Sequence, residues 1–185
     1  MNRRFLIGIC AAALLAGICV FAEEDSKALG PKKQLLRVGV YDSRAITIAY
    51  CHSRYSDNVI AARSKEKEQA EDAQDSEAVQ RIEQSMKHLQ LKRHLQGFGT
   101  APVHDLLKCI EKQIPEIARR AGVDVIVSKW EFDYLAGDAE TTDVTMSLVE
   151  ALEPTEKAIG WIRQIMDMKP MTEADILRHE LDGGH

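Results

Sequence analysis

Aromatic side chains are scarce in this sequence, at 5% of its 185 residues. Large cores draw much of their buried area from Phe, Tyr and Trp. So few of them, beside 29% charged residues, argue against a large compact catalytic core. Positive charge is not in excess either: 24 Lys and Arg meet 29 Asp and Glu, a net charge of −5. That balance argues against nucleic acid or an anionic membrane surface as the main partner. Cysteine is confined to Cys10, Cys19, Cys51 and Cys109, without the CxxC spacing of redox or zinc sites. No glycine-rich phosphate loop, internal repeat or low-complexity tract is present. What remains is 45% hydrophobic residues falling in periodic blocks. That is the pattern of a folded chain with the length of one domain, or of a small domain with a long extension.

Those blocks begin with Asn2-Arg3-Arg4, an uncharged stretch from Phe5 to Ala22, and then Glu23-Glu24-Asp25. A basic start, an apolar stretch and a cleavage pattern at Val20-Phe21-Ala22, with Val at −3 and Ala at −1, read as a secretory signal peptide cleaved near Ala22. A retained membrane anchor is the rival reading, since the stretch is about long enough to span. No later segment is apolar enough to cross a bilayer, so stable membrane insertion is not expected once the signal is removed. Loss of residues 1–22 takes away Arg3, Arg4, Cys10 and Cys19, leaving Cys51 and Cys109 and a more acidic chain. The expected location is periplasmic.

Residues 23–34 read as a flexible leader. Leu35 to Tyr41 reads as a strand, and Asp42-Ser43 as its end and the cap of a helix. A catalytic aspartate at a strand end is the sharper reading of Asp42, but no second acid or phosphate loop follows it. Helix formers dominate from Ala45 to about Leu95. Ala61 to Ala78 holds no large apolar residue; such a segment either projects into water as a helix or frays. Val79, Ile82, Met86, Leu89 and Leu95 then form a coiled-coil-like seam. A break at Gly97–Pro102 precedes a strongly striped helix from Val103 to Ala121, with Pro115 kinking or restarting it and Gly122 ending it.

Val123 to Ser128 is the best strand in the chain, with Glu131 to Leu135 as a possible hairpin partner turning at Lys129-Trp130. Ser147 to Leu152, Pro154 to Met168 and a last segment opening at Thr172 read as helices. Two strands thus bracket about eighty helical residues, most simply a helical hairpin with its tip near Gln74 to Glu77 and arms about 50 Å long. The predicted fold class is α+β, mainly α. It comprises a β-rich head (35–42 and 122–153), a projecting coiled-coil-like hairpin arm (43–121) and a C-terminal helical extension (154–185).

Few residues carry candidate chemistry. On such arms Cys51 and Cys109 would differ in height by about 6 Å. They are either a disulfide worth about 2–4 kcal/mol or two buried free thiols. The six histidines are scattered, and Asp138, Glu140 and Asp143 lack the oxygen-rich spacing of a calcium loop. No catalytic, metal or cofactor residues are assigned. Trp130, Phe132 and Tyr134 alternate and would share one strand face. With Val123, Val125, Val127 and Trp161 they are the candidate oligomer or client contacts.

The strand ending in VGVYDSRAI, the helical insert, then EIARRAGVDVIVSKWEFDYL and TTDVTMSLVEAL resemble the Skp/OmpH family of periplasmic chaperones over residues 35–153. The resemblance implies a small head that trimerises and helical hairpins that hold unfolded outer-membrane proteins, without catalytic residues or a cofactor. The best-known members are basic, whereas this chain is acidic. The GFGTAP break and the tail beyond Pro154 lie outside the two-arm pattern. The expected function is an exported, ATP-independent, holdase-like chaperone, a homotrimer whose partners are unfolded envelope proteins. The alternatives are a structural coiled-coil scaffold of the envelope and a small periplasmic hydrolase with a helical lid.

Overall fold

A computed structural model describes residues 36–136 and 139–171, together with 174, 175 and 178. The signal peptide, the leader and most of the last helix predicted above lie outside the described residues. The described chain is α+β and mainly helical, built around a three-stranded sheet of order β2-β1-β3. The strands are β1 (Val38–Tyr41), β2 (Val125–Ser128) and β3 (Thr141–Asp143), and both neighbours run parallel to β1. The register sets Val38 against Val125 and Val40 against Val127. Gly39 lets the central strand approach its neighbours: a Cβ there would lie 3.0 Å from Val123 and 3.2 Å from Ile126.

Parallel strands need crossovers, and the one from β1 to β2 carries most of the helices. α1 (Ser43–Cys51) is capped by Asp42, whose side chain accepts the Arg44 amide. Its Ala45, Ile46 and Ala49 are fully buried. They share one core with Val103, Leu106 and Ile110, with Leu148 of α6 (Thr145–Ala151) and Leu152 just after it, and with Ile162 of α7 (Glu156–Asp167). The Val, Leu and Ile side chains among them each contribute about 1.5–3 kcal/mol by leaving water.

The helical run from Ala45 is interrupted. The Ser53 hydroxyl donates to the Tyr50 carbonyl at 2.7 Å, and Ser53 itself is extended, so α1 stops and α2 (Arg54–Asp72) starts afresh. Ala61 to Ala78 is helical on both sides of a turn at Ala73–Asp75, which leads into α3 (Ser76–Gly97). Pairs such as Arg63–Glu66 within α2 and Lys67–Glu83 across to α3 support the polar stretch. α2 and α3 thus run antiparallel and largely exposed, and their only buried residues are Ser56, Ala70 and Gln96. At about 1.5 Å per residue, the 22 residues of α3 span roughly 33 Å, shorter than the arms read from sequence.

Of residues 43–121, those from Arg54 to Gly97 thus form the exposed helical pair, while α1 lies in the core. Beyond the break the chain forms α4 (His104–Leu107), a 3₁₀ turn (Lys108–Ile110) and α5 (Ile114–Ala121). Val103, Leu106, Leu107 and Ile110 are buried in the core, because their apolar stripe joins the cluster formed with α1 and α6. Pro115 opens α5, where its missing N–H costs nothing, and Gly122 at φ 68° closes it. Within the C-terminal extension, α7 is equally part of the core, since its Ala158 and Ile162 are fully buried.

The hairpin strand at 131–135 is also corrected. The Glu131 and Trp130 amides donate back to the Ser128 carbonyl and hydroxyl, which turns the chain out of the sheet. The third strand is the polar, exposed β3 on the far edge of β1.

Candidate functional site

All three strands end on the same side, where open parallel sheets usually place ligands. Asp42 follows β1 there and is fully buried. Its Oδ1 accepts from the Arg44 amide, from Arg44 Nε at 3.0 Å and from Trp130 Nε1 at 3.2 Å. Its Oδ2 accepts from the second Arg44 branch and from Lys129 Nζ, each at 2.8 Å. Its own amide donates to Thr145 at the start of α6. Burial would raise this carboxyl, but the hydrogen bonds from Arg44, Lys129 and Trp130 outweigh it and hold the group at about 2. The Trp130 ring lies beneath both cations, at 5.2 Å from Arg44 and 4.8 Å from Lys129. The same Arg44 Nη2 that reaches Asp42 Oδ2 also donates to the Met168 carbonyl after α7 at 3.0 Å.

A carboxylate so fully engaged has no free lone pair to offer a substrate. Asp42 ties β1, α1, the turn after β2, and α6 together, and its chemistry is that of a structural node. The cap reading describes its role in part, and Arg44, Lys129 and Trp130 complete it.

A second node joins the helical pair to the core. Gln96 of α3 is fully buried; its Nε2 donates to the Pro102 carbonyl and to Asp105 Oδ1, both at 2.7 Å. Asp105 Oδ2 accepts from Lys92 at 3.0 Å and Arg93 at 2.9 Å. Partial burial would raise the Asp105 carboxyl, but hydrogen bonds from Lys92, Arg93 and Gln96 bring it down to about 2. Arg93 also lies 4.9 Å over the Tyr50 ring of α1. Sequence reading registered residues 97–102 only as a break. The usable signal was a long polar side chain before a Gly/Pro turn, with an acid three residues beyond Pro102.

Just above this node, α1, α2 and α3 enclose a cleft of about 440 Å³. Tyr50, Cys51, Val59, Ile60, Met86 and Leu89 give it an apolar lining, and Arg63, Lys87 and Arg93 give it cationic groups beside His94. Val59, Ile60 and Met86 are 38%, 53% and 36% exposed. Apolar side chains left open together in one place mark an interaction surface better than scattered ones do. A smaller cavity of about 300 Å³ opens beside the sheet near Tyr41, Leu107, Ile126 and Leu148. Asp42 lines neither.

The residues singled out by sequence are dispersed. Cys51 and Cys109 are free thiols, both half-buried against the core. Burial pushes each thiol up, against an opposing pull from Arg93. Val123 is buried, and Val125 and Val127 are half-buried in β2. Trp130, Phe132 and Tyr134 do not share a strand face: Trp130 turns to Asp42, Phe132 is half-buried and Tyr134 is 82% exposed. Trp161 stands far from them in sequence, against His52 at 5.1 Å, with Lys157 over its ring at 5.0 Å. Asp143 accepts the amide of Thr145, the first residue of α6, at 2.8 Å.

Among the described residues no group of three or more His, Cys, Asp or Glu side chains could hold a metal ion, and no helix is long and apolar enough to cross a membrane. No protein family, curated protein or solved structure matches the chain.

Proposed function

We propose that this chain is an exported, ATP-independent holdase of the Skp/OmpH kind, which binds unfolded envelope proteins. In this reading α2 and α3 are a projecting, coiled-coil-like hairpin, and the sheet with α1, α4–α7 is the head through which three copies associate. The observation that carries it is the cleft at the base of the pair, where Val59, Ile60 and Met86 remain open to water. Apolar side chains exposed on a rigid helical support offer weak contacts to a non-native chain. Copies joined through their heads multiply those contacts, because each further arm binds at a high effective concentration. The two buried nodes serve the same end by fixing the base of the arm to the head, so that it holds a client without collapsing on itself.

The test is dilution of a urea-unfolded outer-membrane β-barrel protein into buffer with and without the mature chain, followed by light scattering. Suppression near one trimer per client, without nucleotide, is the expected result. Unchanged scattering, or a monomer at micromolar concentration by sedimentation equilibrium, refutes it. An envelope scaffold without client binding would be folded and oligomeric yet leave aggregation untouched.

A further inference from the structure

We propose that the cleft between α1, α2 and α3 takes a short extended stretch of polypeptide carrying apolar side chains and one carboxylate. The inference rests on the holdase reading and adds to it the chemistry of the segment recognised. Length comes first. The cleft runs along α2 from Ser56 to Arg63 and along α3 from Met86 to His94, about 10–12 Å at the rise of a helix. An extended chain advances about 3.3 Å per residue, so three or four residues fill it. With alternate side chains facing inward, two apolar groups of such a segment would reach Val59, Ile60, Met86 and Leu89.

Charge decides the rest. Every ionisable group in the lining apart from Tyr50 and Cys51 is a cation or a histidine: Arg63, Lys87, Arg93 and His94. On a chain of net charge −5 that is a local reversal of sign. Arg63 is paired with Glu66, and Arg93 with Asp105, carboxylates that do not line the cleft. Lys87 makes no ion pair among the described residues, although Glu83, held by Lys67, lies within its field. A carboxylate entering with an apolar segment gives Lys87 a partner, whereas a lysine entering there meets like charge.

The experiment uses the full mature chain and two dye-labelled hexapeptides of alternating leucine and alanine, one carrying a central glutamate and the other a lysine. Fluorescence anisotropy should show the glutamate peptide binding about fivefold tighter or more, the size expected when attraction replaces repulsion at a surface charge. Lys87→Glu should reverse that order. Ile60→Asn, at a side chain already 53% exposed, should weaken both peptides and leave the unfolding midpoint unchanged. Equal affinity for the two peptides, or no response to Lys87→Glu, overturns the proposal. So does a cleft that binds decanoate but neither peptide. The scattering assay separates the two claims. Suppressed aggregation with no preference for glutamate sinks this inference alone; a clear preference with no suppression sinks the holdase reading alone.

Discussion

Gln96 and Asp105, nine residues apart on either side of a Gly/Pro break, share a hydrogen bond of 2.7 Å that anchors the helical pair to the core. The bond closes a small circuit, because Gln96 also holds the Pro102 carbonyl and accepts from Arg93, which itself reaches Asp105. Asp105→Ala leaves the buried Gln96 amide short of an acceptor and Arg93 without its carboxylate. A loss of about 1–3 kcal/mol is expected, seen as a lower urea midpoint with an unchanged slope. Lys92→Ala removes a partner that is 43% exposed and should shift stability by no more than about 0.5 kcal/mol. Equal effects of the two substitutions would show that the circuit anchors nothing.

Acid should loosen both nodes together. The Asp42 and Asp105 carboxyls are each lowered from 3.8 to about 2 in the folded protein. A depressed folded value means that the unfolded chain takes up protons first as pH falls. The stability contributed by both groups is therefore complete above their unfolded value and is lost as pH drops from about 4 towards 2. Thermal unfolding from pH 7 to pH 2 should show a plateau followed by a steep fall in that window. Asp42→Asn should flatten part of the fall. At neutral pH it should cost about 3–5 kcal/mol, since it leaves Arg44 and Lys129 facing a neutral amide.

These nodes also mark where the sequence was legible and where it was not. Asp42 as a cap and Gly122 as a helix stop were readable because each is a local device, fixed by one residue and its immediate neighbours. The turn near Gln74 was readable for the same reason, as a break in an otherwise helical polar run. Long-range pairing was not. Thr141–Asp143 carries no apolar alternation, yet it forms the second neighbour of β1. Trp130, Phe132 and Tyr134 alternate well, yet the Ser128 hydroxyl and the Asp42 carboxylate draw that segment away from the sheet. The stripe from Val103 to Ala121 was correctly apolar but was assigned to an arm, because periodicity reports that a face is buried and not what buries it.

The central strand offers a steric test. A Cβ on Gly39 would stand 3.0 Å from Val123 Cγ2 and 3.3 Å from the Val125 carbonyl oxygen. Backbone cannot give way as a side chain can, so Gly39→Ala should push β1 from β2 and cost about 1–3 kcal/mol. Gly160→Ala is the control, since nothing lies within 4 Å of its added methyl. It sits in exposed α7 surface and should gain up to about 1 kcal/mol from helix propensity. Opposite signs for the two variants in chemical denaturation are the expected result.

Cys51 and Cys109 should be slow to react in the folded chain. The thiolate is the nucleophile, and burial raises both thiols from their ordinary value of 9.0. An aromatic disulfide reagent at pH 8 should modify the native protein far more slowly than the protein in guanidinium, where both thiols should titrate. If Cys51 and Cys109 stay unreactive in the unfolded, unreduced chain, the pair is bridged and the two thiols are not free.

The tip of the helical pair carries strain that one substitution should relieve. Gln74 has φ 55°, the left-handed conformation that closes α2, and the Asp75 amide donates back to the Ala70 carbonyl at 2.9 Å. This arrangement favours glycine, whereas a residue with a Cβ gives up about 1–2 kcal/mol in it. Glycine loses more freedom on folding, which offsets about 0.5–1 kcal/mol of the gain. Gln74→Gly should therefore stabilise the chain by about 0.5–1 kcal/mol. Gln74→Ala, which keeps the Cβ, should change little. The tip lies well up the pair from Val59, Ile60 and Met86, so neither variant should alter binding at the cleft. A parallel rise in both variants would mean that side-chain entropy, and not the left-handed turn, sets the stability of the tip.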